Sequence, residues 1–252
     1  MRTLVRKNLI PYTRYSLITS ASKCNKNIPG IGKRFISKNY FNLPENNQNL
    51  TLYSIIGTNI LVFLAWQQSK NDWRLYKFML SNFTTSKIGV YRFQDYHTLI
   101  TAFFSHQDLS HLLFNMLAFY SFGQSTIFLL GTSRFLLLYL GGGLISSICH
   151  VSYTTFIPKT WPSSRQRIGD SSPGLGASGA VNAVVIWNII SFPRNMIYLY
   201  GILPVPAALL GLGFIAMDGY SLYYGDSNIG NAAHLGGAAY GALFYALTRR
   251  IR

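Results

Sequence analysis

The chain has 252 residues, of which 49% are hydrophobic and 12% charged, and 22 Lys and Arg against 7 Asp and Glu give a net charge of +15. About a quarter of the residues in a soluble globular domain are charged, so this composition excludes an ordinary soluble domain. Apolar runs recur along most of the chain and predict an all-α membrane protein with one polytopic domain in the lipid bilayer. The basic residues cluster before position 39 or flank apolar segments, so we expect no nucleic-acid partner.

Residues 1–45 form a basic leader that contains no acidic residue before Glu45. Nine Lys and Arg residues are interleaved there with Ser and Thr, a composition typical of a mitochondrial transit peptide. The leader has no continuous apolar stretch of the kind that a secretory signal requires. A disordered tail retained by the positive-inside rule is the alternative. We therefore expect residues 46–252 to form the folded domain.

Six apolar segments predict six transmembrane helices, and each is about long enough to cross a bilayer at 1.5 Å per residue. They are residues 52–67, 109–130, 135–156, 176–192, 196–217 and 232–247. The first two are joined by a long ordered loop, residues 68–108, in which the apolar stretch 99–104 is too short to span and predicts a partly buried helix. The second, fourth and sixth segments run in the same direction. Their first residues should therefore lie at one depth in the membrane.

The fourth segment opens with the sequence GLGASGA, in which Ser178 lies between Gly176 and Gly179. Small neighbours let other helices and a substrate backbone come close to the serine. The free amides of a first helical turn favour a developing negative charge. Taken alone, the same pattern is more typical of a helix-packing face.

The sixth segment opens with AHLGGAAYG, which contains His234 and a Gly-x-x-x-Gly packing face formed by Gly237 and Gly241. A neutral imidazole is the usual base for a serine hydroxyl, and His234 is expected at the depth of Ser178. In the second segment, His111 and Asn115 are four residues apart and share one helix face. Both can donate hydrogen bonds, although either alone could simply bond a neighbouring helix.

These motifs together resemble the rhomboid family of intramembrane serine proteases over residues 53–247, most closely the fungal mitochondrial branch of the presenilin-associated rhomboid-like type. The resemblance implies a six-transmembrane-helix rhomboid bundle and a multi-pass protein of the mitochondrial inner membrane. By this resemblance, Ser178 is the nucleophile and His234 the general base. His111, Asn115 and the Ser178 amide are the oxyanion hole.

The resemblance also implies a serine endopeptidase that cleaves transmembrane helices of single-pass membrane proteins without a cofactor or a metal. No carboxylate lies within the second, fourth or sixth segment, so we predict a Ser-His dyad. The Gly-containing loop 218–231 is predicted to act as a flexible lid. Many family members carry an aromatic residue four positions after the serine that stacks on the histidine. This chain has Asn182 there, so we expect the orientation of His234 to depend on another group.

Other classes of membrane protein fit the sequence less well. An aspartyl intramembrane protease needs two Asp residues within its helices, and a zinc protease needs a His-Glu-x-x-His motif, whereas Glu45 is the only glutamate. A transporter is disfavoured because no paired polar pathway crosses the segments. The remaining alternative is a catalytically silent rhomboid-like protein that binds transmembrane helices. The pairing of Ser178 with His234 argues against it.

Overall fold

A computed structural model of the chain describes residues 45–156, 173–199, 202–224 and 230–250. The predicted leader lies outside the described residues except for Glu45, where helix α1 begins. Helix α1, Glu45–Ser69, starts earlier than the first predicted segment and extends slightly beyond its end. Residues 46–51 therefore belong to a helix and not to a connecting stretch.

Short helices connect α1 to the second long helix. They are α2 (Trp73–Phe83), α3 (Lys87–Arg92), α4 (Thr98–Thr101) and a 3₁₀ turn (Ala102–Phe104). The first two are capped by side chains, because Asp72 accepts from the N–H groups of the first turn of α2 and Ser86 does the same for α3. The helix predicted at 99–104 is present as α4 and the 3₁₀ turn, with Phe103 buried.

Four long helices form the centre of the molecule: α5 (Leu109–Leu130), α6 (Thr132–Phe156), α7 (Ser178–Ser191) and α9 (Gly230–Arg250). Helix α7 packs against α5, α6 and α9, and ten of its 14 residues are buried. The chain turns sharply between α5 and α6 at Gly131, whose φ of 74° is a conformation that glycine adopts without strain. A cluster of aromatic rings, Phe119, Phe135 and Tyr139, closes the α5–α6 contact.

The fifth predicted helix, residues 196–217, is wrong in its first half. Strands β1 (Met196–Leu199) and β2 (Leu203–Pro206) pair as an antiparallel hairpin, and helix α8 (Ala207–Tyr224) begins only afterwards. Pro204 and Pro206 explain the difference, because proline has no N–H to donate and disrupts a helix interior. The protein is thus mostly helical, and this hairpin departs from the all-α prediction.

Several helices have the length and composition of membrane spans. By these criteria three helices in the described ranges can cross a membrane, namely Asn47–Ser69, Leu109–Leu130 and Thr132–Tyr153, and Ser178–Ser191 is a shorter apolar helix. Helix α5 also exposes Leu113, Phe114 and Leu117 on its outer face. A row of large apolar side chains facing outwards suits lipid better than water. The count of six spans stays a prediction.

Candidate active site

The segment before Ser178 is held from both sides by backbone hydrogen bonds. Thr85 and Gly174 exchange N–H to carbonyl bonds of 2.8 and 2.7 Å, and the Gly176 N–H donates to the carbonyl of Ala102 at 3.0 Å. Gly176 has a φ of +123°, and a Cβ there would lie 2.7 Å from Cε1 of His111. Only glycine can adopt this backbone conformation while the His111 ring lies against it. The loop therefore presents Ser178 from a constrained backbone.

Ser178 is the first residue of α7, after Ala177 as the N-cap. The methyl side chain of Ala177 cannot accept a hydrogen bond from the amides of the first turn. The first intrahelical bond runs from the Val181 N–H to the Ala177 carbonyl at 2.9 Å. The amides of the first turn thus point away from the helix, as at any helix N-terminus. They can stabilise negative charge that develops next to the serine.

The side chains of Ser178 and His234 are in hydrogen-bond contact. The Ser178 Oγ lies 2.8 Å from Nε2 of His234, which belongs to the early part of α9. Both side chains are partly buried. A hydroxyl at this distance can donate its proton to a neutral imidazole.

Glycines bring α7 and α9 close enough for this contact. A Cβ on Gly237 would overlap the Gly179 backbone, and a Cβ on Gly241 would lie 2.9 Å from Cα of Ala183. A Cβ on Gly179 would overlap the side chain of Ser146 in α6 and would lie 3.3 Å from the carbonyl oxygen of Ala233 in α9. These three glycines thus lie where helices touch, whereas Gly176 lies against the His111 ring.

His111 and Asn115 lie on α5 beside the serine segment. The His111 N–H donates to the capping carboxylate of Asp108 at 3.0 Å, and its ring packs against Gly176. Asn115 is buried and uses one amide N–H to donate to the carbonyl of His111 at 2.8 Å. An amide nitrogen carries two N–H groups, so this intrahelical bond does not use up its donor capacity.

A carboxylate that the sequence reasoning did not assign to the site also contacts His234. The Asp218 Oδ1 lies 3.3 Å from Nδ1 of His234, on the ring edge away from Ser178. Asp218 belongs to α8, which extends to Tyr224, and α9 begins at Gly230. The predicted lid 218–231 is therefore helical at both ends, and its middle, residues 225–229, lies outside the described residues.

His106 is a second residue that the sequence analysis did not select. It is fully buried, and its Nε2 accepts a hydrogen bond from the Ala177 N–H at 3.3 Å. Burial, together with the nearby His111, lowers the pKa of His106 to about 3. A neutral ring is what the acceptor role needs, so His106 supports the backbone immediately before the serine.

A cavity of about 220 Å³ opens beside Ser178. Its walls include Ser146, Ser147 and His150 of α6, together with Gly176 and Ala233. The described residues contain no group of three His, Cys, Asp or Glu side chains that could hold a metal ion. The groups in direct contact at the site are the Ser178 hydroxyl, the two ring nitrogens of His234 and the Asp218 carboxylate.

Comparison with known proteins decides the family. Residues 93–251, more than half of the chain, match the model of the Rhomboid domain. The chain belongs to the rhomboid family. Its resemblance to the mitochondrial branch is confirmed by relatives such as RHOMBOID-like protein 12, mitochondrial, of Arabidopsis thaliana, which is 37% identical over 79% of this chain and 58% of its own length.

Two further relatives of this rhomboid are similar over comparable lengths. Rhomboid protein 1, mitochondrial, of Saccharomyces cerevisiae is 36% identical over 77% of this chain and 51% of its own length. Presenilin-associated rhomboid-like protein, mitochondrial, of Homo sapiens is 30% identical over 83% of this chain and 50% of its own length. This rhomboid chain thus spans about half the length of the curated relatives it matches.

The two residues that sequence reasoning missed in this rhomboid had different signals. His106 stands five residues before His111, outside the motifs of the predicted helices. Its contact with the Ala177 N–H depends on how the loop before Ser178 folds against it. Asp218 is the single charged residue of α8, which made it visible as an anomaly in an apolar stretch. The predicted fifth segment ends at residue 217, whereas α8 extends to Tyr224, so the prediction puts Asp218 in a loop. Asn182, at the position where many family members have an aromatic residue, predicts that His234 needs another orienting group, and Asp218 is in contact with that ring.

Proposed function

We propose that this rhomboid is an intramembrane serine endopeptidase that cleaves transmembrane helices of other membrane proteins. The 2.8 Å contact between the Ser178 Oγ and His234 Nε2 carries the proposal. Such a contact pairs a weak nucleophile with the base that it needs. Membership of the rhomboid family supports the same reaction class.

The reaction follows from the two partners of this contact. As the Ser178 oxygen attacks the scissile carbonyl carbon, its proton passes to Nε2 of His234 and the carbonyl electrons move to the oxygen. Collapse of this intermediate breaks the C–N bond, and the leaving amine takes the proton from Nε2. A water molecule then repeats the sequence on the acyl-serine, with His234 again as base, and regenerates the free hydroxyl.

The negative oxygen of the intermediate needs hydrogen-bond donors that are already in place. The Ser178 amide belongs to the first turn of α7, where it is free of intrahelical bonding. The His111 ring and the second N–H of Asn115 are the other donors that we assign to this oxyanion hole. The closeness of the His111 ring to Gly176 supports this role for His111.

The substrate in this proposal is the helix of a single-pass membrane protein. A fully hydrogen-bonded helix hides its carbonyl groups, so the segment must partly unwind near the first turns of α5, α7 and α9. The cavity beside Ser178 has room for a substrate side chain. We expect no cofactor to be required, because the attack, the proton transfer and the charge stabilisation are all supplied by protein groups.

We propose the mitochondrial inner membrane as the location, with six spans, a long first loop and an import leader in residues 1–45. The mitochondrial relatives and the apolar helices support a mitochondrial membrane. The basic, acid-free leader supports import. A soluble fluorescent reporter carrying residues 1–45 should enter mitochondria, and a reporter that stays cytosolic would contradict this part of the proposal.

Cleavage by the purified full chain tests the activity. The protein is reconstituted in vesicles with a fluorescent single-pass helical peptide, and Ser178→Ala is compared with Ser191→Ala. Ser191 lies at the other end of α7, where its Oγ donates to the carbonyl of Trp187, so it is a matched serine away from His234. We expect Ser191→Ala to cleave and Ser178→Ala to be inactive. If the wild type binds the peptide without cleaving it, the silent helix-binding alternative replaces the proposal.

A further inference from the structure

Asp218 occupies an unusual place for a carboxylate. It lies within α8, whose other residues are apolar or uncharged, and its side chain is only 19% exposed. An ionised carboxylate in an apolar helix is costly unless a partner stabilises it. The partner in contact is the His234 ring, with Oδ1 3.3 Å from Nδ1.

The two contacts of His234 use opposite ring nitrogens. Nε2 faces the Ser178 Oγ at 2.8 Å, and Nδ1 faces the carboxylate of Asp218. For Nε2 to accept the serine proton, its lone pair must be free, so the proton of the neutral ring must be on Nδ1. A carboxylate can only accept a hydrogen bond, and it therefore selects the tautomer with Nδ1–H.

We propose that Asp218 is a positioning residue for His234, an inference that rests on the proposed serine-protease function. It holds the ring with Nε2 towards Ser178, and it stabilises the imidazolium that forms when Nε2 takes the serine proton. The Nδ1 proton stays on the ring throughout, hydrogen-bonded to the carboxylate. The site thus works through three side chains from three helices, α7, α8 and α9, and not through the Ser-His dyad alone.

The length of the contact bears on the size of the expected effect. Charge-assisted N–H to carboxylate bonds are typically about 2.7–2.9 Å, so a contact of 3.3 Å is loose. Catalytic hydrogen bonds often tighten only when substrate is bound. The partial exposure of both side chains also weakens the electrostatic contribution. We therefore expect a smaller loss than the roughly 10⁴-fold fall in kcat seen when a buried triad Asp is replaced by Asn.

Three variants at position 218 test this role in the vesicle cleavage assay. Asp218→Asn preserves the shape and removes the charge, Asp218→Ala removes both, and Asp218→Glu keeps the charge on a longer side chain. We expect Asp218→Asn to lower kcat about 10- to 100-fold with KM within about twofold of wild type, since Asp218 acts through the ring of His234. Asp218→Glu should retain more activity than Asp218→Asn, and Asp218→Ala should be no more active than Asp218→Asn.

Asp72→Asn is the matched control for loss of an aspartate charge. Asp72 caps α2 and accepts from the N–H groups of Arg74 and Leu75, outside the site. The Asp72→Asn variant should leave kcat unchanged. If Asp218→Asn cleaves at the wild-type rate, or if Asp218→Glu is no better than Asp218→Asn, the positioning role is wrong while the protease function stands. If the wild type itself neither cleaves nor reacts with a fluorophosphonate, the proposed function fails and this inference falls with it.

A measurement on the unmutated protein covers the case in which the variants fold poorly. Nitrogen-15 spectra of histidine-labelled protein, with the His234 signals identified by their loss in His234→Gln, report which ring nitrogen carries the proton. We expect the Nδ1–H tautomer with an unprotonated Nε2 in the resting enzyme. An Nε2–H tautomer would overturn the inference whatever the activity of the variants.

Discussion

Gly237 of α9 lies directly against the backbone of Gly179 of α7, so that a Cβ at position 237 would be 2.7 Å from the Gly179 carbonyl carbon. Gly179 is next to Ser178, and Gly237 is three residues after His234. This close approach of the two helices is thus next to the Ser178–His234 hydrogen bond. The packing glycines and the Ser178–His234 hydrogen bond thus lie side by side where α7 meets α9.

Gly237→Ala should therefore separate α7 from α9 and lower activity. The overlap is with backbone atoms, which cannot move aside as a side chain can, and displacing a reacting group by about 1 Å costs on the order of 10²-fold in rate. Fluorophosphonate labelling of Ser178 and peptide cleavage measure the effect. Gly213→Ala is the matched control, because a Cβ at 213 meets nothing within 4 Å. Equal activity of the two variants would contradict the role of this contact.

Ser178→Ala and His234→Ala should each abolish cleavage, and the double variant should be no worse than either one. The two residues act as a unit in which losing one member removes nucleophilic attack. Wild-type protein should react with a fluorophosphonate, His234→Ala far more weakly and Ser178→Ala not at all. His97→Ala serves as the histidine control, since His97 is exposed and its ring contacts the Asn82 side chain of α2, away from Ser178. Cleavage by Ser178→Ala at the wild-type rate would refute the nucleophile.

Asn115→Ala should slow cleavage by less than loss of Ser178 does. Removing one oxyanion donor costs on the order of 10² to 10³ in kcat in soluble proteases, and here His111 and the Ser178 amide remain. Asn59→Ala provides a matched control, because the Asn59 amide makes the same kind of bond to the carbonyl four residues earlier, in α1. Measured kcat values should fall only for Asn115→Ala. A similar fall in kcat for Asn59→Ala would contradict the oxyanion role of Asn115, because it would show a general effect of losing an intrahelical amide bond.

His106 should make the folded protein less stable as the pH falls. Its folded-state pKa is lowered to about 3, while an unfolded chain binds the proton below about 6.5. The unfolded state therefore binds more protons between these values, and between pH 7.5 and pH 5 this group alone costs about 2 kcal/mol of stability. The thermal midpoint in detergent, measured at both pH values, reports the loss.

His106→Gln is the variant that isolates this effect. The Gln side-chain oxygen can accept from the Ala177 N–H as Nε2 does, but it does not titrate. The difference in thermal midpoint between pH 7.5 and pH 5 should therefore be smaller in His106→Gln than in wild type. An unchanged difference would show that other groups cause the acid sensitivity.

The sequence alone predicts the pairing of Ser178 with His234 and the helices that contain them, since both residues stand in local motifs at the starts of apolar segments, and the structure places their side chains in hydrogen-bond contact. It also indicated the packing glycines, because a small residue repeated every four positions marks a helix face whatever the partner. The hairpin before α8 was missed, since an apolar run alone does not distinguish a strand from part of a helix.

The tertiary structure decided which groups meet across helices. Apolar periodicity defines the face of each helix but not how deeply a neighbour approaches it or how the two are rotated. The contact of Asp218 with His234 and that of His106 with Ala177 both depend on such approaches. A hydrogen bond requires its atoms within about 3.5 Å, and only the packing of the helices and of the loop before Ser178 sets distances on that scale.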